Sequence, residues 1–304
     1  MPIVIAAALA QTARNAAQRS LTSDLGTLSA TLIRFLYGLP FALAWLLVVQ
    51  QLGTGSSTTP QFSPGYWTWL VLGALAQLAA TALLLRAMQE RNFIIGVTFA
   101  KTEVLQVALF AALFLQEIPH WVSIVAIVIA SLGVLLLSLP KRGAASDLAG
   151  ANPWISKAAL FGLGSGACFA IAAVGFRGAA LTQPGLSPWL IGAMGVVLAQ
   201  ALQTLLLGGY LMWQRRRDLA GLLGALGGAW RLSLVAGGMG ALASIGWFTA
   251  FAMASAAEVK TLALVEVLFS YAVSRKLFDE KLKANERLGL LLVSAGLVVV
   301  CSRL

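Results

Sequence analysis

An ionisable side chain inside a long apolar run is expensive to bury, so the residues of this sequence that can do chemistry stand out from their surroundings. Glu103 and Glu266 each lie near the middle of an apolar stretch. A carboxylate so placed either hydrogen-bonds a neighbouring helix or holds a proton or a charged ligand. Lys101 and Lys260 stand on the same two stretches. A lysine and a glutamate together offer a holder for each end of a zwitterion. Lys101 lies the deeper of the two. Lys260 is only a few residues into its stretch, where a lysine ordinarily snorkels to the interface.

A second group of polar residues is gathered near the start of the chain. Gln11, Arg14, Asn15 and Gln18 recur at spacings of three and four, which puts them on one face of a helix. That stripe cannot face lipid; it lines a central cavity or lies flat in the interface. Arg34 sits inside the next apolar run and is expected to pair with a carboxylate. Trp247, Gln77, Gln200 and Gln203 are weaker ligand candidates, residue types that more often serve packing and interhelical hydrogen bonds.

Other chemistry finds little support. The one histidine, His120, has no catalytic partner in sequence, and no zinc-binding or phosphate-binding motif occurs. Cys168 and Cys301 lie in apolar runs without redox or metal spacing and read as small hydrophobes. No cofactor and no metal is expected, and the chain does not read as an enzyme.

The elements that must position these residues follow from composition. Of 304 residues, 59% are hydrophobic and 11% charged, and the mean hydropathy is +0.87, so the solvent for most of this surface is lipid. Apolar stretches of about 20 residues match the hydrocarbon layer. Ten are expected: Pro2 to Arg19, Leu25 to Val49, Gly65 to Met88, Asn92 to Leu115 and Trp121 to Leu139, then Trp154 to Ala180, Ser187 to Trp213, Trp230 to Met253, Val259 to Phe278 and Leu288 to Ser302. Ala8-Leu9-Ala10 resembles a signal-peptide cleavage site, but no basic segment precedes it, so the first helix is expected to stay.

The chain is also written twice. Glu103 and Glu266, Glu117 and Glu280, Ser131 and Ser294, and Gly133 and Gly296 all recur at an offset of 163 residues. The fold class expected is an all-α polytopic membrane protein of ten transmembrane helices in two inverted five-helix repeats, residues 1–140 and 154–304, joined by a linker at 141–153. Five spans per repeat turn the second copy upside down, an arrangement that gives transporters two related conformations. Glu117 and Glu280 fall in turns and are expected to brace them.

Loop charge sets the orientation. Arg19, Arg86, Arg91, Lys141, Arg142, Lys157, Arg215 to Arg217, Arg231, Arg275, Lys276, Lys281, Lys283 and Arg287 fall in one set of alternating loops, against Arg177, Lys260 and Arg303 in the other. The rich side is expected to be cytoplasmic, with both termini outside. The net charge of +10 is thereby assigned to membrane topology and anionic lipid; nucleic acid is not needed.

Two stretches carry a family resemblance. Glu103-Val104-Leu105-Gln106 runs through Phe114-Leu115-Gln116-Glu117 to Ser131-Leu132-Gly133, and Glu266-Val267-Leu268-Phe269 through Leu277-Phe278-Asp279-Glu280 to Ser294-Ala295-Gly296. With these the chain resembles the drug/metabolite transporter (DMT) superfamily, specifically its EamA-type ten-span permeases. Val104 and Val267 replace the proline that usually follows the two acids in that family, which removes the usual cause of a kink there. The resemblance implies a bacterial inner-membrane permease working by alternating access, whose termini are commonly cytoplasmic, the reverse of the loop-charge reading. It implies export of amino acids or similar small metabolites, with efflux of organic cations as the alternative; the lipid bilayer is the surroundings, and the coupling proton is expected from the buried carboxylates rather than from the resemblance. An integral-membrane enzyme or lipid-handling protein is the reading from another class.

Overall fold

The computed structural model describes residues 2–52, 59–90, 100, 102–138, 157–216, 218–269, 272 and 284–301. Among these the chain is helical, with turns between: α1 (Pro2–Leu25), α2 (Thr27–Leu36), α3 (Leu39–Gln51), α4 (Pro64–Glu90), α5 (Glu103–Phe114), α6 (Trp121–Ser138), α7 (Lys157–Leu181), α8 (Pro188–Gln214), α9 (Leu219–Gly228), α10 (Trp230–Met253), α11 (Ala256–Leu262) and α12 (Ala284–Cys301). Lys101, Glu280, the 141–153 linker and much of the fourth and ninth expected spans lie outside the described residues.

Among the described residues five stretches are long and apolar enough to cross a bilayer: Thr27–Gln51, Pro64–Glu90, Leu160–Leu181, Pro188–Gln214 and Trp230–Met253. Their surfaces are arranged for lipid. On α8, Gln200 and Gln203 are buried while Leu205 is 73% exposed and Met212 53%, the reverse of a water-soluble helix. Polar side chains turn inward because hydrocarbon offers them no hydrogen bonds. The fold is therefore an all-α membrane protein.

Two expected spans are interrupted. The second breaks at Tyr37 and Gly38, because Pro40 at the start of α3 has no N–H to donate and its ring crowds the carbonyl one turn back. The ninth breaks at Ala263 and Leu264, after which residues 265–269 are helical again. There the backbone bonds tighten to a spacing of three: Leu264 N–H to the Thr261 carbonyl, Glu266 to Ala263 and Val267 to Leu264. This break occurs without the proline whose absence had argued against a kink.

Small residues let the helices meet. A methyl group on Gly175 of α7 would lie 2.9 Å from Gly73 Cα on α4, so these two helices approach backbone to backbone. The α6–α12 contact is reciprocal. A methyl on Gly133 would meet the Gly289 carbonyl oxygen at 2.6 Å and Val293 Cγ2 at 2.9 Å; one on Gly296 would meet Ala130 Cβ at 2.8 Å and the Ala126 carbonyl oxygen at 2.9 Å. Gly289, Val293 and Gly296 stand at the 163-residue offset from Ala126, Ala130 and Gly133, so each helix offers its neighbour the same three positions.

Tryptophans near the ends of membrane spans ordinarily sit at the interface. Trp67, Trp121, Trp189, Trp213 and Trp230 are substantially exposed, whereas the Trp69 ring lies against Gly178 and is a packing residue.

Candidate functional site

The polar stripe of α1 is buried whole. Gln11, Arg14, Asn15 and Gln18 are each 8% exposed or less, so the stripe faces the interior of the bundle and not the interface. Two of its amides hold Glu266. Gln11 Nε2 donates to Glu266 Oε2 at 2.5 Å, and Asn15 Nδ2 donates to Oε1 at 3.0 Å.

The orientation of both amides is dictated by what lies behind them. Trp247 Nε1, which can only donate, gives its hydrogen to Gln11 Oε1 at 2.9 Å, leaving the Gln11 amino group to face the carboxylate. Arg14 donates from Nε and Nη2 to Asn15 Oδ1 at 3.2 and 2.6 Å. Asn15 thus stands as a neutral bridge between a guanidinium and a carboxylate, and Arg14 lies in the field of both Glu266 and Glu103. Gln18 takes no part; its amide donates to the Ala30 carbonyl at 3.0 Å and ties α1 to α2.

Glu103 has a different partner from its repeat equivalent. It opens α5, where an acid favours the positive end of the helix, and the chain there crosses Gly166 of α7 so closely that a methyl would meet Glu103 N at 3.2 Å. Lys260 Nζ lies 3.4 Å from Glu103 Oε1. The expectation that Lys260 snorkels to the interface is corrected: it is 6% exposed, and its ammonium stands 5.3, 5.7 and 5.9 Å from the ring centres of Trp247, Phe169 and Phe251. The physical reason is the early start of α11. Ser255 Oγ accepts from Glu258 N–H and donates to Glu258 Oε2, a reciprocal cap. Lys260 is thereby placed within a short inner helix, where carboxylate and rings substitute for water.

Trp247 consequently joins the two acids. Its indole N–H reaches the Glu266 side through Gln11, and its face carries the ammonium that pairs with Glu103. One connected path runs from Glu103 through Lys260, Trp247 and Gln11 to Glu266.

Among the described residues Arg34 pairs with no carboxylate, contrary to expectation. Its Nη1 donates to Thr81 Oγ1 on α4, and its guanidinium lies 5.0 Å from the Phe35 ring centre. Thr81 in turn donates to the Gln77 carbonyl at 2.9 Å. Gln77 and Gln203 are joined as interhelical residues are expected to be, with Gln203 Nε2 donating to Gln77 Oε1 at 2.9 Å. Gln200, read in sequence as such a residue, finds no partner for either amide atom among the described residues.

A tie unforeseen in sequence lies at one end of the bundle. Arg177 of α7 meets Glu117 at 2.8 Å and donates from Nη1 to the Phe251 carbonyl at 2.7 Å. Glu117 thus braces α7 rather than its own hairpin. The sign was there to read, since Arg177 is a charge near the end of an apolar run. Beside it, Gln61 N–H donates to Gln183 Oε1 at 3.0 Å, and the Gln183 amide returns a bond to the Gln61 carbonyl.

The long apolar helices and the buried acid–base centre define a multi-pass membrane protein built to hold charge away from lipid. Residues 1–139 match the model of the EamA-like transporter family, so this part of the chain is similar to that family's members. A crystal structure of a protein shares the fold with a TM-score of 0.67 and 15% identity, over 99% of this chain and 96% of its own. No curated protein matches the sequence.

Proposed function

We propose that this protein is a membrane transporter of the DMT type, a secondary-active exporter of amino acids or similar small metabolites, working by alternating access around the centre that joins Glu103 to Glu266. The observation that carries this is the pairing itself: an acid and a base from opposite halves of the sequence, Glu103 and Lys260, meet in the interior within reach of a second acid held by neutral amides. Such a site can exchange its internal partners for the charged ends of a substrate, or a carboxylate can take a proton, as the halves move.

Ten spans in two inverted repeats belong to the same reading. The exchange of equivalent positions across the α6–α12 contact is what a two-fold axis between the copies produces. The bilayer is proposed as a bacterial inner membrane. Arg86, Arg215, Arg216 and Arg231 close or open helices at the end of the bundle opposite Glu117 and Gln183, which supports a cytoplasmic face there and both termini outside.

The organic-cation alternative is weaker on one specific ground. The aromatic faces of the centre that would receive a cation, those of Trp247, Phe169 and Phe251, are already occupied by the Lys260 ammonium.

Counterflow in proteoliposomes tests the proposal. A radiolabelled amino-acid mixture is expected to accumulate against unlabelled internal substrate; absence of counterflow for every amino acid, with resistance to a quaternary amine on expression, transfers the assignment to cation efflux.

A further inference from the structure

Among the described buried residues three cations, Arg14, Arg34 and Lys260, stand against two anions, Glu103 and Glu266. Lys260 faces Glu103. The two arginines are each 1% exposed or less, and the hydrogen bonds they donate end on neutral oxygens, Asn15 Oδ1 and Thr81 Oγ1. Their stems lie side by side on α10: a methyl at Gly240 would sit 3.1 Å from Arg34 Cγ and 3.3 Å from Arg14 Cδ, and the charge of Arg14 acts on Arg34. Like charges brought together out of water repel one another, and each loses hydration that a neutral acceptor only partly replaces.

Donors are left over at the same place. Arg14 Nη1 and Arg34 Nε are buried without a partner among the described residues, as are Nε2 and Oε1 of Gln200. Gln200 is itself 2% exposed and reaches the turn that follows Arg34, its Oε1 standing 3.1 Å from where a Gly38 methyl would be. Unspent N–H groups on two arginines with adjacent stems and on an amide, together with the excess of one positive charge among the described buried residues, are complementary to one small anion with two oxygens.

We propose that Arg14, Arg34 and Gln200 form a seat for the carboxylate of the transported molecule, so that this protein accepts organic acids and zwitterions and rejects their uncharged-acid and cationic counterparts. This rests on the transporter reading and names the chemistry of its site. The carboxylate oxygens take the free guanidinium hydrogens, and its charge balances the second arginine. A zwitterion's ammonium is then left to the side of the centre that carries the glutamates. Gln200 enters because its amide offers both a donor and an acceptor beside the seat.

The test uses the full chain purified in detergent and reads thermal stabilisation by a panel of L-amino acids, the matching 2-hydroxy acids and the matching amino-acid methyl esters, with sodium chloride at equal ionic strength as the control. Acids and zwitterions are expected to raise the melting temperature in a saturable way, and their methyl esters to bind at least about tenfold more weakly, the cost of losing a charged hydrogen bond. Arg34→Lys and Gln200→Leu are expected to weaken acid binding by roughly tenfold or more. The seat is refuted by esters that bind as well as acids, by acids that do no more than chloride, or by unchanged acid affinity in both variants. The wild-type comparison of acid with ester needs no variant to fold. Counterflow on the same preparation separates the two readings: carboxylates bound but never moved leave the seat and remove the transporter, whereas cations moved and carboxylates ignored do the reverse.

Discussion

Lys260 and Glu103, 157 residues apart in sequence, meet at 3.4 Å in the interior, each less than a tenth exposed. A buried pair of this kind contributes little net stability over an apolar substitute, yet removing one member strands the charge of the other. Lys260→Met is therefore expected to destabilise the protein by about 3 kcal/mol or more, and the double variant Lys260→Met, Glu103→Gln to recover part of that loss. Chemical denaturation of the four proteins measures the coupling; strictly additive losses would show that the pair acts as two independent residues.

Glu266 presents both oxygens to amide donors. Glutamine there replaces one acceptor with an amino group that must face Gln11 or Asn15, and Gln11 cannot turn without stranding the Trp247 N–H. Glu266→Gln is expected to cut counterflow by roughly tenfold or more, the worth of a charge-assisted hydrogen bond. Full transport by this variant takes Glu266 out of the mechanism.

Trp247 has two roles that one substitution separates. Phenylalanine keeps a ring face for Lys260 and loses the N–H to Gln11; leucine loses both. The expected order of transport rates is wild type, then Trp247→Phe, then Trp247→Leu, with the first step about two- to tenfold, one net hydrogen bond. Equal rates for the two variants would place the whole effect in the N–H.

Arg177 binds Glu117 and the Phe251 carbonyl at once. Arg177→Gln leaves a partly buried carboxylate and a carbonyl short of donors, an expected loss of about 1–3 kcal/mol seen as a lower melting temperature. If the tie also holds that end of the bundle shut, a cysteine placed at Gln61 will react faster with a membrane-impermeant thiol reagent in the variant. Identical reactivity restricts the tie to stability.

Gln116 is the residue with positive φ among the described non-glycine residues, at 57°. It ends α5 by letting the Glu117 N–H return to the Ala111 carbonyl at 3.2 Å, a left-handed helix stop. Glycine takes that conformation without the roughly 1 kcal/mol steric cost, so Gln116→Gly is expected to raise stability by about that amount while leaving Glu117 aimed at Arg177. A lower melting temperature would mean the glutamine side chain contributes more than its backbone costs.

Much of the fold was legible because it rests on local chemistry. Apolar run length located the long spans, and the turn at Ser187-Pro188 reads directly as a helix cap, with Ser187 Oγ accepting from Leu190 N–H. The breaks were harder. Pro40 announces the interruption between α2 and α3, but nothing in the sequence around Ala263 and Leu264 signals the tightening before Glu266, which is decided by what packs around it. The site was legible as a list of residues and not as a set of pairs. Lys260 was misread because depth along a span was counted from the wrong helix start, and Arg34 because a charge in an apolar run suggests a carboxylate when a threonine hydroxyl on the next helix was nearer.

What the sequence alone determined was the solvent, the recurrence at a fixed offset and the cost of placing two acids inside apolar runs. Burial cost and hydropathy are properties of each residue and its near neighbours, and a fixed offset survives any arrangement in space. What only the tertiary structure decided was partnership. Gln11 reaches Glu266 across 255 residues, and Trp247 connects that carboxylate with the Lys260–Glu103 pair. Those contacts depend on how each helix is rotated, where it breaks and how closely glycines let it approach its neighbour, quantities that emerge only when all the helices pack at once.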